Sequence, residues 1–382
     1  MSTINRMEIG GFRRLRHLDI EFRPFMVIVG ANGVGKTSFL DVLRLLSASA
    51  SGNLGSTLSQ MGGISSILTR GKCNELRFKL DINVSDQYPL EYELQIVPQG
   101  TGYAIAGEAL RQNRGKPQPF KYIDSSFSNI KYFDVDDGRL IHPTWEHNSL
   151  ETSLAQVPKM FREPETFRRF LAGAALYHTL DVSPRAPVRM PQPMKPALTP
   201  GIQGEDLLSC LYSLRENYRS RFDVVIETLR VAFPALEELN FPPVAAGTIT
   251  LTWKDRQFNQ PIYLHELSEG ILRFLWLVTI LQVPDLLPTI IMIDEPEVSL
   301  HPELLSLLAD LMREASERVQ LIVATHSDRF IRFLRPEEVL VMDIDEEGCA
   351  TAVWADTLDL EQWLREYSLD EVWRMGRMGG RA

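Results

Sequence analysis

Apolar and polar residues alternate along RMEIGGF, LRHLDIEF and FMVIVG near the start of the chain, and this alternation predicts three strands. A glycine-rich turn follows, and then a helix from Lys36 through LDVLRLLSAS. Between positions 75 and 135, the short alternating segments ELRFKLDINV, YELQIV and GYAIAG predict an antiparallel sheet. Positions 146–181 read as mainly helical. The stretch SPRAPVRMPQPMKPALTPG, 183–201, is too rich in proline for a regular helix or a central strand. Two helices follow through LLSCLYSLRENY and RSRFDVVIETLRVAF, with a strand at TITLTW. The last third alternates: helix 269–283, strand 289–294, helix 302–316, strand 319–324, helix 327–334, strand 338–343. Such alternation predicts an α/β core with parallel strands. The whole reads as one domain over 1–382. It has an N-terminal lobe to 140, a helical insertion over 141–245 that contains the proline-rich connector, and a closing lobe from 246.

Composition narrows the classes. The chain has 382 residues, 44% hydrophobic and 24% charged, with a net charge of −10. No global positive field draws it to nucleic acid or acidic lipid, although a local basic patch is compatible with these numbers. MSTINRMEIGGF has no apolar core of signal-peptide length, and FLWLVTIL is far too short to span a bilayer. These features point to a cytoplasmic protein with no membrane partner. Cys73, Cys210 and Cys349 lie far apart and form no CxxC pair, so buried thiols are expected rather than a metal cluster.

Chemistry enters at GANGVGKT, 30–37, which fits G-x-x-x-x-G-K-[ST] between a strand and a helix. Gly30, Asn32, Gly33 and Gly35 form the loop, and Lys36, Thr37 and Ser38 open the helix. Backbone N–H groups can wrap a phosphate there, and the helix N-terminus adds partial positive charge. Lys36 is expected to reach the β and γ phosphates of ATP, and the Thr37 hydroxyl to bind Mg²⁺. IIMIDEPEVSLHP, 290–302, carries the next signal. Its strand is expected beside the one that precedes the phosphate loop, with Asp294 holding a Mg²⁺-bound water and Glu295 acting as general base. Mg²⁺ then makes the adjacent carboxylates tolerable. Ser268 reads as an N-cap before a long apolar helix, and Gly270 weakens the first turn unless the backbone must approach something closely. This is either a capped core helix or a phosphate site for a nucleotide carried by a second copy of the chain. LIVATHS, 321–327, ends an apolar strand at His326, which can contact a γ-phosphate.

Phosphate loop, LSEG, Asp-Glu strand and His strand occur in that order. Together they resemble the ATP-binding-cassette heads of the RecF, SMC and OLD proteins. EPEVSLHP, EYSLDEVWRMGRMGG and the proline-rich VRMPQPMKP are most similar to the stand-alone OLD-related ATPases of the AAA15 or AAA21 type. The resemblance implies a head with a parallel core sheet, an antiparallel N-terminal sheet, a helical insertion and no long coiled coil. It implies ATP and Mg²⁺ as cofactors, and an ATP-dependent homodimer or higher oligomer. It also implies a nucleotide contact from Arg13 within GFRRLRHLDIEF and a Mg²⁺-sensing glutamine, taken as Gln156 in SLAQVP. LSEGI departs from the usual LSGG signature, which leaves Ser268 and Gly270 as the residues carried over. His301 stands where transporter heads place an aspartate. Arg185, Arg189 and Lys195 face phosphate or DNA, or belong to a rigid connector.

Three functions fit. The first is an ATP-driven switch that controls a separate effector such as a nuclease, for which the resemblance suggests antiphage defence. The others are a RecF-like DNA-repair ATPase and an ATP-dependent scaffold. Asp343-Ile344-Asp345 reads as an acidic turn, and too little chain follows His326 for a nuclease domain of its own.

Overall fold

The structure, a computed structural model, describes residues 2–84, 88–127, 129–134, 137–156, 162–282 and 288–379. The chain divides into two compact units. The first comprises Met1–Ala174, Pro336–Tyr367 and Val372–Ala382; the second comprises Ala175–Arg335 and Ser368–Glu371. The division falls near 174 and 335.

The first unit opens with strands β1 (Thr3–Phe12), β2 (Leu15–Glu21) and β3 (Phe25–Val29), then helices α1 (Lys36–Ala50), α2 (Leu54–Gln60) and α3 (Ile64–Ile67). Strands β4 (Leu76–Asn83), β5 (Leu90–Gln99), β6 (Gly102–Gln112), β7 (Phe120–Ser125), β8 (Tyr132–Asp134) and β9 (Arg139–Ile141) follow, with helices α4 (Ser153–Gln156) and α5 (Arg162–Ala172). One antiparallel sheet runs in the order β2-β1-β4-β5-β6-β7-β8-β9. Alternation sets its faces. Phe78, Leu80, Tyr92 and Leu94 are buried, and Tyr92 meets Phe167 of α5 at 5.1 Å between rings. Their neighbours Arg77, Lys79, Glu91, Glu93 and Arg111 pair across strands at 2.7–3.5 Å.

The second unit begins at β10 (Ala174–Tyr177) and contains β11 (Gln192–Pro193), α6 (Leu207–Asn217), α7 (Arg219–Ala232), β12 (Leu236–Asn240), β13 (Thr248–Ile249), β14 (Thr252–Asp255) and β15 (Ile262–Tyr263). Helix α8 (Glu269–Gln282), strand β16 (Ile290–Asp294), helix α9 (Pro302–Ser316), strand β17 (Gln320–Thr325) and helix α10 (Asp328–Ile331) complete it. Strands β16 and β17 pair in parallel, from Ile290 against Gln320 to Asp294 against Ala324. Their continuous apolar runs reflect burial on both faces. Helix α8 is buried at Leu272 and continuously from Phe274 to Gln282, as expected of a helix apolar all round.

The first unit resumes with β18 (Val339–Ile344), β19 (Ala350–Trp354) and α11 (Glu361–Leu364), and α12 (Leu369–Arg374) follows. β18 pairs in parallel with β3, from Val27 against Val339 to Val29 against Val341, and β19 pairs antiparallel with β18. Among the described residues the longest helices, α1 and α9, have 15 residues, so no coiled-coil arm is present there. No described helix is long and apolar enough to cross a membrane. Cys210 and Cys349 are buried and Cys73 is partly so; burial pushes the Cys210 thiol up to about 12.

Several expectations need correction. The neighbours of β16 are β10 and β17, so the Asp-Glu strand does not lie beside β3. The stretch 146–181 is not mainly helical: α4 spans only four residues, β10 is a strand, and 157–161 lie outside the described residues. TITLTW is broken at Thr250, and its halves β13 and β14 join different sheets. The helix expected over 327–334 contracts to Asp328–Ile331.

Candidate nucleotide site

In the first unit, the fully buried β3 delivers the chain into the loop 30–35, and α1 starts at Lys36. Gly30 is required by close approach: a Cβ there would sit 2.5 Å from the Met342 carbonyl oxygen of β18. Gly33 and Gly35 take φ of 82° and 122°, which side chains disfavour. No side chain caps the first turn of α1, so its leading N–H groups retain the anion-binding character of a helix start. Lys36 is 8% exposed and its Nζ donates to the carbonyls of Gly30 at 2.7 Å and Ala31 at 3.0 Å. The ammonium thus lies folded along the loop it would share with phosphate. Asn32, Gly33 and Thr37 are exposed at the mouth of the loop, and Ser38 is partly buried.

Arg13 stands in the two-residue turn between β1 and β2, in the left-handed region at φ 49°. Such a conformation costs a non-glycine residue roughly 1–3 kcal/mol. It turns the guanidinium onto α1, where Nη1 meets Asp41 Oδ2 at 2.6 Å and Ser38 Oγ at 3.5 Å. A cleft of about 440 Å³ adjoins it, lined among others by Arg13, Arg14, Arg70, Lys72, Glu347 and Cys349. Thr69 also lines this cleft, and its hydroxyl is buried without a hydrogen-bond partner. This is the local basic patch that an acidic composition leaves room for.

In the second unit, Asp294 and Glu295 end β16. Glu295 sits in the left-handed region at φ 54°, while its N–H still donates to the Ala324 carbonyl at 2.8 Å. The kink carries Glu295 Oε1 to 2.8 Å from Nδ1 of His326, which follows β17. Asp294 Oδ2 is 3.6 Å from Nδ1 of His178, directly after β10. Each member of the carboxylate pair therefore faces an imidazole. Glu297 is a third acid here. It accepts a short hydrogen bond from the Thr325 hydroxyl, its other oxygen is buried without a partner, and burial holds its carboxyl above the ordinary value. Neither His178 nor Glu297 stands out in the sequence, because His178 falls in a stretch that reads as helical and Glu297 in one that reads as a turn.

Ser268 caps α8, its hydroxyl accepting from the Ile271 N–H at 3.3 Å. A Cβ on Gly270 would fall 2.8 Å from the Ser299 carbonyl, so the close approach behind this glycine lies within the chain itself. Arg189 of the proline-rich segment donates to the carbonyls of His265 and Leu267 at 3.1 and 2.9 Å. Lys195 pairs with Asp206 at 2.7 Å. Arg189 thus braces the residues that lead to Ser268.

The family model described as "AAA domain, putative AbiEii toxin, Type IV TA system" matches residues 25–332. The chain belongs to this AAA family. Its fold is that of an SMC-type ATPase head. The AAA chain is similar to the Smc head bound to the C-terminal winged-helix domain of ScpA, with a TM-score of 0.58 and 15% identity, covering 95% of this chain and 99% of that one. It is also similar to the Pyrococcus furiosus Smc head with an extended coiled coil bound to the C-terminal domain of ScpA, with a TM-score of 0.54 and 13% identity, covering 96% and 98%. A comparison with curated protein sequences finds no match.

Within this AAA head, Gln156 is not placed to sense Mg²⁺. Its amide oxygen accepts from the Asn148 N–H at 2.7 Å, and its amide nitrogen donates to the carbonyls of Asn148, Glu151 and Thr152. Thr152 in turn bonds Ser49 at the far end of α1, about 20 Å from Lys36 along the helix at 1.5 Å per residue. Gln156 braces a loop. The acidic turn expected at 343–345 is mostly strand: Asp343 lies in β18 opposite Thr351 of β19, and only Asp345 shapes the turn, its Oδ1 accepting from the N–H groups of Glu347 and Cys349 at 2.9 and 2.8 Å. Among the described residues, no three His, Cys, Asp or Glu side chains cluster as a metal site.

Proposed function

We propose that this chain is an ATP-driven switch: two copies close around ATP and Mg²⁺, and the closed dimer controls a separate effector protein. The observation that carries the reading is the Glu295–His326 contact at 2.8 Å, a base with its orienting partner at the ends of two neighbouring parallel strands. In the proposed roles, the phosphate loop, Lys36 and Ser38 hold the phosphates, and Arg13 contacts the nucleotide. Thr37 and Asp294 serve Mg²⁺. Glu295 accepts a proton from the water that attacks the γ-phosphorus as the bond to the β-phosphate oxygen breaks, leaving ADP and phosphate. His326 keeps that carboxylate aimed. Ser268 and Gly270 meet the γ-phosphate bound by the partner copy. The family description names a putative toxin of a toxin–antitoxin system, and the related Smc heads carry a bound ScpA domain. A regulated protein partner, with antiphage defence as the setting, extends both.

The test combines two substitutions. Glu295→Gln should bind ATP, hydrolyse it about 10²–10⁴-fold more slowly, and accumulate as an ATP-dependent dimer in sizing chromatography. Adding Ser268→Arg should leave ATP binding intact and abolish that dimer. Near-wild-type turnover in the first variant, or an undiminished dimer in the doubly substituted one, refutes the respective role. The basic cleft beside Arg13 favours one alternative, direct DNA binding in the manner of RecF. Hydrolysis stimulated by DNA and lost on Arg70→Glu would establish it.

A further inference from the structure

Three consecutive residues at the end of β17 are tied to the segment that leaves β16, all within the second unit. The Ala324 carbonyl accepts from the Glu295 N–H at 2.8 Å, the Thr325 hydroxyl donates to Glu297 Oε1, and His326 Nδ1 lies 2.8 Å from Glu295 Oε1. The middle tie has no part in the chemistry described so far. Thr325 is fully buried, and its hydroxyl has a single proton to give. The Ser327 N–H donates to Thr325 Oγ at 3.0 Å, so the oxygen is an acceptor on that side and its proton goes to Glu297. Ser327 Oγ in turn accepts from the Phe330 N–H at 3.4 Å, capping α10. Glu297, Thr325 and Ser327 thus form one hydrogen-bonded chain that brackets His326 on both sides.

A carboxylate is a costly group to place here. Glu297 Oε2 is buried with no hydrogen-bond partner. A buried polar atom left unpaired lowers stability, so a fold that retains one has a use for the group. The gain is a charge-assisted bond to Thr325, shorter and stronger than a neutral acceptor would make. His326 has need of such a brace. Its side chain is 46% exposed, and an imidazole in contact with water samples several rotamers unless the backbone beneath it is fixed. Glu297 itself is no rival to Glu295 as the base, since one of its oxygens is taken by Thr325 and the other is shut away from water.

We propose that Glu297 is a positioning residue for hydrolysis: through Thr325 it fixes the turn 325–327, and with that turn the imidazole of His326 against the Glu295 carboxylate. The inference rests on the ATP-hydrolysing reading above and adds to it a residue that touches neither nucleotide nor water.

The experiment pairs kinetics with ring spectroscopy on the full chain. Glu297→Ala and the shape-conserving Thr325→Val should each lower kcat for ATP hydrolysis by roughly 10–100-fold, the scale of a small misplacement, with KM for ATP unchanged. Thr325→Ser keeps the hydroxyl and should restore most of the rate, and Glu297→Gln keeps an acceptor and should lose less than Glu297→Ala. Glu297→Ala added to His326→Ala should slow the enzyme no further, because its effect runs through the imidazole. In nucleotide-free protein, the His326 ring ¹⁵N signals, identified by their loss in His326→Ala, should shift in Glu297→Ala and Thr325→Val and stay in place in Thr325→Ser. Unmoved ring signals, a loss carried by KM rather than kcat, or an undiminished loss in the His326→Ala background overturns the assignment and leaves the ATP reading standing. If Glu297→Ala fails to fold, the comparison of Thr325→Val with Thr325→Ser decides the same question. A wild-type chain that hydrolyses no ATP brings down both.

Discussion

Replacing Glu295 by glycine and by alanine separates its chemistry from its backbone. Glu295 sits at φ 54°, where a Cβ crowds the following carbonyl and costs roughly 1–2 kcal/mol. Both substitutions delete the carboxylate. Both lose the contact with His326; the Glu295 and His326 side chains are 36% and 46% exposed, so that loss is worth no more than about 1 kcal/mol and is common to the two. What differs is the Cβ. Glycine removes the strain but returns about 0.5–1 kcal/mol through the freedom of the unfolded chain. Glu295→Gly should therefore be the more stable by about 1 kcal/mol, or roughly 2–4 °C in thermal midpoint for a unit of 150–250 residues. Calorimetry on the two variants decides it, with urea midpoints as a further measure. Under the proposed chemistry both should lose hydrolysis by about 10²–10⁴-fold. A glycine variant that melts at or below the alanine variant refutes the claim that strain is stored at this residue.

Three further outcomes follow from the geometry. Lys36→Ala should abolish tight ATP binding by removing the charge folded along the loop; ATP affinity equal to wild type in a calorimetric titration would remove the phosphate-loop assignment. Gly270→Ala should destabilise the protein by about 1–3 kcal/mol, because its Cβ falls 2.8 Å from a backbone oxygen; an unchanged urea midpoint would contradict that contact. Arg168 and Arg169 hold the Glu165 carboxyl down at about 2, against an ordinary 4.5. A depressed acid contributes stability above its ordinary value and loses it as pH falls through the folded one, so the penalty of Glu165→Gln should be full at pH 7 and vanish between about pH 4.5 and 2; a pH-independent penalty would sink this.

The phosphate loop, the Asp-Glu strand and the His strand are legible in the sequence because their chemistry is local. A buried parallel strand must be continuously apolar, and polar residues at its end stand out. Lateral order lies beyond that kind of reading. Nothing in IIMID says that β17, not β3, is its partner, since every one of these strands has the same apolar character. Strand β10 is hidden because Ala174–Tyr177 is too short to show a period after a helical stretch, and His178 is hidden with it. Gln156 suits a Mg²⁺-sensing role by type and by place in the chain, while its real partners are backbone groups of its own loop. Gly270 is anomalous for the expected reason, close approach, but the approaching group is the Ser299 carbonyl.

The pairing of Val27 with Val339 has a consequence for how the protein is made. The strand that leads into the phosphate loop is completed by a segment more than 300 residues later, and the main segment of the second unit, Ala175–Arg335, lies between. Closing so long a loop costs entropy that only the finished contact repays. On the ribosome, β3 waits with an open edge until β18 emerges, and Gly30 lacks the Met342 carbonyl that shapes its turn. A nascent chain cut short before 339 carries GANGVGKT in full and yet has no formed cradle. A chain that ends before β18 should therefore bind ATP far more weakly than the full chain.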